Sequence, residues 1–146
     1  VSKLNLLDAL KDKGFKLTVQ RRRIIETLRQ LGGRVSARDI HQALRKKNPS
    51  LSLDTVYRNL RLLTEIGLVH QISLQSGAVF ELADDRRHHH HLVCIDCEKV
   101  ACIEYCPEFP AYSDHAASEG FTVLGHIFEV YGRCTECQNK KQAANI

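Results

Sequence analysis

A chain of 146 residues, 43% hydrophobic and 26% charged with a formal net charge of +4, holds one ordinary domain or two small ones. It lacks an apolar run long enough to cross a bilayer, and charged residues are interspersed through Val1–Gly14, so neither a membrane span nor a secretory leader is expected and the location is read as cytoplasmic. The charge is divided: residues 1–80 carry 15 Lys/Arg against 6 Asp/Glu, whereas residues 81–146 carry 6 against 11. A basic half joined to an acidic half points to a nucleic-acid-binding domain attached to something else, although a basic face alone is often only solvated surface.

In chain order, Leu4, Leu6, Leu7 and Leu10 form a short apolar stripe that stops at Gly14. Thr18 can cap a second helix, with Ile24, Ile25, Leu28 and Leu31 at helical spacing before Gly32-Gly33. Ser36-Ala37-Arg38-Asp39 resembles a capping box and opens a third helix, with Ile40, Ala43 and Leu44 facing inward. Ser52 caps Leu53–Ile66, whose buried stripe is Val56, Leu60 and Leu63 and whose stop is Gly67. Leu68–Leu74 and Ala78–Leu82 alternate around Gln75-Ser76-Gly77, the pattern of a β-hairpin. Helices followed by a hairpin predict a winged helix-turn-helix, with Leu53–Ile66 entering the major groove of double-stranded DNA. Thr55, Tyr57, Arg58 and Arg61 are its candidate contacts, and Arg58 can donate a bidentate pair to guanine. Further on, Lys99–Glu104 and Thr122–Tyr131 are expected as strands and Pro110–Gly120 as a short helix.

The second half is dominated by metal-binding residue types. Cys94-Ile95-Asp96-Cys97 and Cys134-Thr135-Glu136-Cys137 are two Cys-x-x-Cys pairs, and together they can close a tetrahedral four-thiolate site for structural Zn²⁺. Alternate side chains of an extended segment share a face, so His89 and His91 point one way and His88 and His90 the other. Two imidazoles on one face beside an acid suit Zn²⁺, Fe²⁺ or Mn²⁺. Cys106, His41, His70 and His115 receive no role and are read as structural or surface residues.

Four strings in this order resemble the ferric uptake regulator family: Leu17-Thr18-Val19-Gln20-Arg21, Asp54-Thr55-Val56-Tyr57-Arg58-Asn59-Leu60, His88 through Cys97, and Tyr131-Gly132-Arg133-Cys134-Thr135-Glu136-Cys137. The resemblance implies a metal-activated transcriptional repressor that binds palindromic A·T-rich operators as a homodimer. It implies an α+β chain: a winged-helix DNA-binding domain over 1–82, a hinge over 83–87, and a small α/β metal-binding dimerisation domain over 88–146. It places Lys16 in the minor groove and Tyr57 and Arg58 on bases. It also joins Glu81 to His89 and His91 as a sensory site, whose filling would set the angle between the domains. A second site would combine His88 and His90 with His126 and an acid, for which Glu108 stands one place from the usual register.

Two departures bear on the sensed metal. Arg34 stands where many relatives supply a further His ligand, and Cys102 stands where relatives usually place a carboxylate. A thiolate at Cys102 shifts preference toward Zn²⁺ over Mn²⁺, leaving Zn²⁺ and Fe²⁺ as the leading regulatory cations. It weakens the alternative of a peroxide-responsive regulator; the competing reading of Cys102 is a small buried strand residue. Among other classes, no nucleophile–base arrangement, phosphate loop or His-Glu-x-x-His helix indicates an enzyme. A thiol–disulfide enzyme would want a Cys-x-x-Cys opening a helix in a βαβ unit, and neither pair is expected in one. Cys94, Cys97, Cys102 and Cys106 echo an iron–sulfur loop, but that pattern leaves Cys134 and Cys137 unexplained.

Overall fold

The computed structural model describes residues 8, 10–83, 89–106, 110–123 and 126–144. Leu4, Leu6, Leu7, His88 and Glu108 lie outside the described residues, as do positions 84–87 of the expected hinge. The chain divides into two compact units, Val1–Arg86 and Arg87–Ile146.

In the first unit, α1 (Val19–Leu31), α2 (Ala37–Arg45) and α3 (Leu53–Glu65) are each started by a hydroxyl side chain. Thr18 accepts from the Arg21 amide, Ser52 from the Thr55 amide, and Ser36 from Asp39 in a reciprocal capping box. These caps satisfy N–H groups that the first turn of a helix leaves without partners. Ile24, Ile25 and Leu28 of α1, Ala37, Ile40 and Leu44 of α2, and Val56, Leu60 and Leu63 of α3 meet in one core with Leu10, Leu51, Ile66, Val69 and Phe80. Each large aliphatic buried there contributes about 1.5–3 kcal/mol. Gly67, at φ +76°, ends α3 in the left-handed conformation that glycine adopts without a Cβ penalty.

The wing is β2 (Val69–Leu74) and β3 (Gly77–Leu82), paired antiparallel from Val69↔Leu82 to Leu74↔Gly77. A two-residue strand unforeseen in the sequence, β1 (Val35–Ser36), extends this sheet to the order β1-β3-β2. Together these elements make the expected winged helix-turn-helix.

The second unit is built on a three-stranded sheet, β5-β4-β6, of β4 (His90–Cys94), β5 (Val100–Ile103) and β6 (Glu129–Gly132). β4 runs antiparallel to β5 and parallel to β6. Helix α4 spans Pro110–Ser118, and α5 (Thr135–Ala144), which was not expected, follows β6. The strand expected over Thr122–Tyr131 is observed, among the described residues, as Glu129–Gly132, paired with His91–Cys94 of β4. Buried residues described in this unit are His90, His91, Val93, Cys94 and Cys137. One aliphatic among two histidines and two cysteines is little apolar core for a unit of this size. Among the described residues no helix is long and apolar enough to cross a membrane.

Candidate metal centres and DNA-binding surface

The first Cys pair lies on a turn at the end of β4, closed by Glu98 N–H donating to the Cys94 carbonyl at 2.9 Å and Cys94 N–H donating to the Lys99 carbonyl at 2.9 Å. The second pair spans the start of α5, where the Cys134 carbonyl accepts from the Gln138 amide at 3.0 Å. The Cys94, Cys97, Cys134 and Cys137 sulfurs all lie within 4.8 Å of one another, and none is in a disulfide. Cys97 and Cys134 Sγ are 3.7 Å apart, close to the roughly 3.8 Å edge of a tetrahedron with 2.3 Å Zn–S bonds. The four sulfurs therefore fit a structural zinc.

The surroundings of this cluster are ordered to carry thiolate charge. Backbone N–H groups of Cys134, Cys97 and Asp96, in that order, hold the Cys94 thiol down to about 6; the Cys134 amide is 3.3 Å from Cys94 Sγ. Cys97 is raised: the Lys99 amide favours its thiolate most strongly, but hydrogen bonding with Cys94 and Cys134 and burial together outweigh it. Cys137 is pushed up to about 12, first by Cys134 and then by burial and the remaining sulfurs. Crowded thiols oppose one another in this way until a dication supplies the compensating charge. Arg133 donates to Asp96 at 2.8 Å and Lys99 pairs with Glu136 at 3.2 Å, each pair tying one Cys turn to the other. Lys141 reaches Asp96 at 3.4 Å, so three cations border the four sulfurs.

Two smaller clusters use opposite faces of β4. His89, His91 and Cys102 bring their donor atoms within 4.8 Å of one another. The His89 and His91 rings meet edge-on at 5.0 Å, and His91 stands directly opposite Cys102 in the β4–β5 ladder. Cys102 is exposed, contrary to the competing expectation of a small buried strand residue. The second cluster is His90, Cys106 and His126. His126 Nε2 lies 3.2 Å from His90 Nε2 and 3.3 Å from Cys106 Sγ. His90 and His126 were expected together; Cys106, which was given no role, stands beside them. It stands three residues beyond β5, where no strand period tells which way a side chain points.

Glu81, expected beside His89 and His91, belongs to β3 of the first unit, where its carboxylate pairs with Arg34 Nε at 3.0 Å. Of the remaining histidines, His41 Nε2 bonds the Leu51 carbonyl at 2.7 Å, a structural contact, and His115 is exposed on α4.

On the first unit, α3 presents Tyr57, Arg58 and Arg61 to solvent, with Tyr57 45% exposed. Arg58 Nε donates to Asp54 at 2.8 Å, and Arg61 to Glu65 at 3.1 Å. Exposed pairs of this spacing contribute only about 0.3–0.5 kcal/mol, so both guanidinium groups can exchange a carboxylate for a phosphate or base at little cost. Thr55 is half-buried and its hydroxyl is 2.8 Å from Ser52 Oγ, which makes it part of the cap. Arg21, missed in the sequence, links the approach to α3: it donates to the Lys16 carbonyl and, at 3.3 Å, to Asn59 Oδ1, while Asn59 donates to the Thr55 carbonyl at 2.8 Å. Exposed Lys16 is thereby anchored beside the recognition helix.

The sequence profile of the "Ferric uptake regulator family" matches residues 12–131. The chain belongs to the ferric uptake regulator family. It is 31% identical over 132 residues to the ferric uptake regulation protein of Synechococcus elongatus, covering 88% of this chain and 90% of that one. It is 36% identical over 137 residues to the peroxide operon regulator of Bacillus subtilis, with 92% of each covered. Among solved structures it is similar to the Pseudomonas aeruginosa ferric uptake regulator with manganese, at TM-score 0.63 and 28% identity over 90% of this chain and 99% of that one. It is also similar to the Helicobacter pylori ferric uptake regulator, described as having three functional metal binding sites, at TM-score 0.59 and 26% identity over 90% and 87%.

As a member of the ferric uptake regulator family, the chain is a metal-responsive transcriptional regulator with a structural zinc site. Cys134-x-x-Cys137 opens a helix after a strand, but in no βαβ unit among the described residues. No strand follows α5 among the described residues, and its sulfurs join Cys94 and Cys97 in one cluster rather than pairing as a redox couple. Cys102 and Cys106 fall into separate clusters, so the four cysteines of the iron–sulfur echo do not converge.

Proposed function

We propose that this chain is not an enzyme but a repressor that, as a cytoplasmic homodimer, grips palindromic A·T-rich duplex DNA when Zn²⁺ fills the His89–His91–Cys102 cluster, with Fe²⁺ next in preference and Mn²⁺ last. The observation carrying this reading is Cys102 opposite His91, which makes the cluster a two-imidazole, one-thiolate set. Thiolate favours Zn²⁺, whereas Mn²⁺ is better served by oxygen ligands. Three protein donors leave a fourth position on a tetrahedral ion. The Glu81 carboxylate, expected to complete this set, pairs through Oε2 with Arg34 Nε at 3.0 Å within the first unit.

DNA would be met by α3, with Arg58 on a guanine, Tyr57 on a base, and Lys16, Thr55 and Arg61 at the groove and backbone. Support for a homodimer comes from the second unit, where Leu92, Tyr105, Tyr112, Phe121, Ile127 and Tyr131 are exposed. So much exposed apolar surface on a unit with so little core suits burial against a second copy.

Fluorescence anisotropy on a palindromic A·T-rich duplex, with Zn²⁺, Fe²⁺ and Mn²⁺ at buffered free concentrations, tests the reading. Cys102→Ser should weaken the Zn²⁺ response while leaving the Cys94/Cys97/Cys134/Cys137 zinc in place. An unaltered Zn²⁺ titration removes Cys102 from the sensor. A response confined to Fe²⁺ and abolished by hydrogen peroxide would favour the peroxide-responsive alternative.

A further inference from the structure

We propose that Cys106 is a metal ligand and makes the His90–Cys106–His126 cluster a thiophilic site, taking a four-coordinate borderline dication of the Zn²⁺ or Co²⁺ kind. The pairing of His90 with His126 was expected from family resemblance; the thiolate, and the cation class it selects, were not. Neither DNA binding nor the His89–His91–Cys102 reading bears on this assignment.

Two groups compete for a single atom. His126 Nε2 is approached by His90 Nε2 at 3.2 Å and by Cys106 Sγ at 3.3 Å. A neutral imidazole nitrogen has either one proton to give or one lone pair to receive, so it serves one of these neighbours well but not both. A cation at the centre removes that conflict, because all three atoms can then direct lone pairs at it. The lengths agree: tetrahedral edges from Zn–N of about 2.05 Å and Zn–S of about 2.3 Å are roughly 3.3 Å for N–N and 3.6 Å for N–S. The observed separations lie within a few tenths of an ångström of those edges.

The support around the cluster is also that of a site. His90 is 2% exposed on the central strand, and its ring stands edge-on to Phe128 at 5.4 Å. Its ring centre lies 5.0 Å from that of His126 at an interplanar angle of 32°, with the two Nε2 atoms 3.2 Å apart. Cys106 and His126 are half-buried, so a cation has a path in while most water is excluded. A site of two carboxylates and two imidazoles would admit Mn²⁺ or Fe²⁺ readily; a thiolate in the set shifts affinity toward Zn²⁺ and Co²⁺.

Cobalt reports on this directly, because a Co²⁺–thiolate bond gives a sulfur-to-metal charge-transfer band and a Co²⁺–imidazole bond does not. Full-length protein with its four-cysteine zinc retained is titrated with Co²⁺ as wild type, Cys102→Ser, Cys106→Ser and the double Ser variant, with bound cobalt counted by equilibrium dialysis. In Cys102→Ser the band should persist, carried by Cys106. It should vanish in the double variant, with cobalt affinity at this site falling at least about tenfold. Bound cobalt should also protect Cys106 from iodoacetamide in Cys102→Ser, located by peptide mass spectrometry. Identical bands and stoichiometry in Cys102→Ser and the double variant, or undiminished Cys106 alkylation at saturating Co²⁺, would overturn the assignment. No DNA enters the assay, so its failure is separate from failure of the regulatory reading.

Discussion

Removing zinc from Cys94, Cys97, Cys134 and Cys137 should unfold one unit of this chain and spare the other. In the first unit a cluster of fourteen buried apolar residues, from Leu10 to Phe80, holds three helices and the wing together. Among the described residues of the second unit, Val93 is the only buried aliphatic. Its burial contributes about 1.5–3 kcal/mol, whereas a structural Zn²⁺ at neutral pH supplies about 10–16 kcal/mol. The assay is limited proteolysis with mass spectrometry, before and after excess chelator, beside Cys97→Ser. Cuts should appear within 89–144 while 10–83 remain protected. The site should also fail on acidification, and the sign follows from the thiols. Cys97 and Cys137 both titrate above the ordinary thiol range, so at pH 7 both hold protons that coordination must expel, whereas Cys94, held down to about 6, has already lost its own. Releasing at least two protons makes zinc affinity fall by about a hundredfold or more for each unit of pH lost near neutrality. Retained protection of both units after complete zinc removal would refute the reasoning, and so would an affinity that does not change from pH 8 to pH 6.5.

Two substitutions test other parts of the fold. Arg58→Ala should cost about 1–3 kcal/mol of operator binding if the guanidinium reads a guanine, measured by anisotropy on specific and scrambled duplexes at one salt concentration; equal losses on both would make it a backbone contact. Glu98 closes the first Cys turn at φ +61°, a conformation that costs a residue with a Cβ about 1–2 kcal/mol, so Glu98→Gly should raise the second unit's resistance to chelator and heat, and a loss of resistance would contradict that strain.

What the sequence disclosed follows from where local chemistry determines structure. Thr18, Ser36 and Ser52 announce helix starts because an N-cap needs only its own side chain and amides two or three residues on. The Cys pairs are equally local, since a Cys-x-x-Cys turn presents two sulfurs to one point wherever it occurs. The four-histidine run was sortable because strand period fixes alternate faces, and His89 and His91 do lie in one cluster while His90 lies in another. The failures have non-local causes. β1 is two residues long and exists only because β3 is there to pair with it. α5 has no apolar stripe to betray it, only Cys137 being buried, and its position is set by the second Cys turn. Arg21 is an ordinary basic residue in the sequence, and its bonds to Lys16 and Asn59 depend on α1 packing against α3.

The same distinction explains why metal preference was harder to read than metal binding. β4 distributes imidazoles to both faces of the sheet, which the sequence shows, but an imidazole suits Zn²⁺, Fe²⁺ and Ni²⁺ alike. In the two proposed sites, discrimination comes from the third donor. Cys102 is delivered by register: His91 faces Cys102 and His90 faces Ile103, so a slip of one residue would put isoleucine beside His91. Cys106 is delivered by the chain beyond β5, which brings it to His126 across 20 residues of sequence. Both small clusters therefore owe their sulfur to one short strand and its exit. On the assignments proposed above, lengthening that exit by one residue after Ile103 would leave the His91↔Cys102 pairing intact while displacing Cys106, altering one cluster's choice of cation without touching an imidazole.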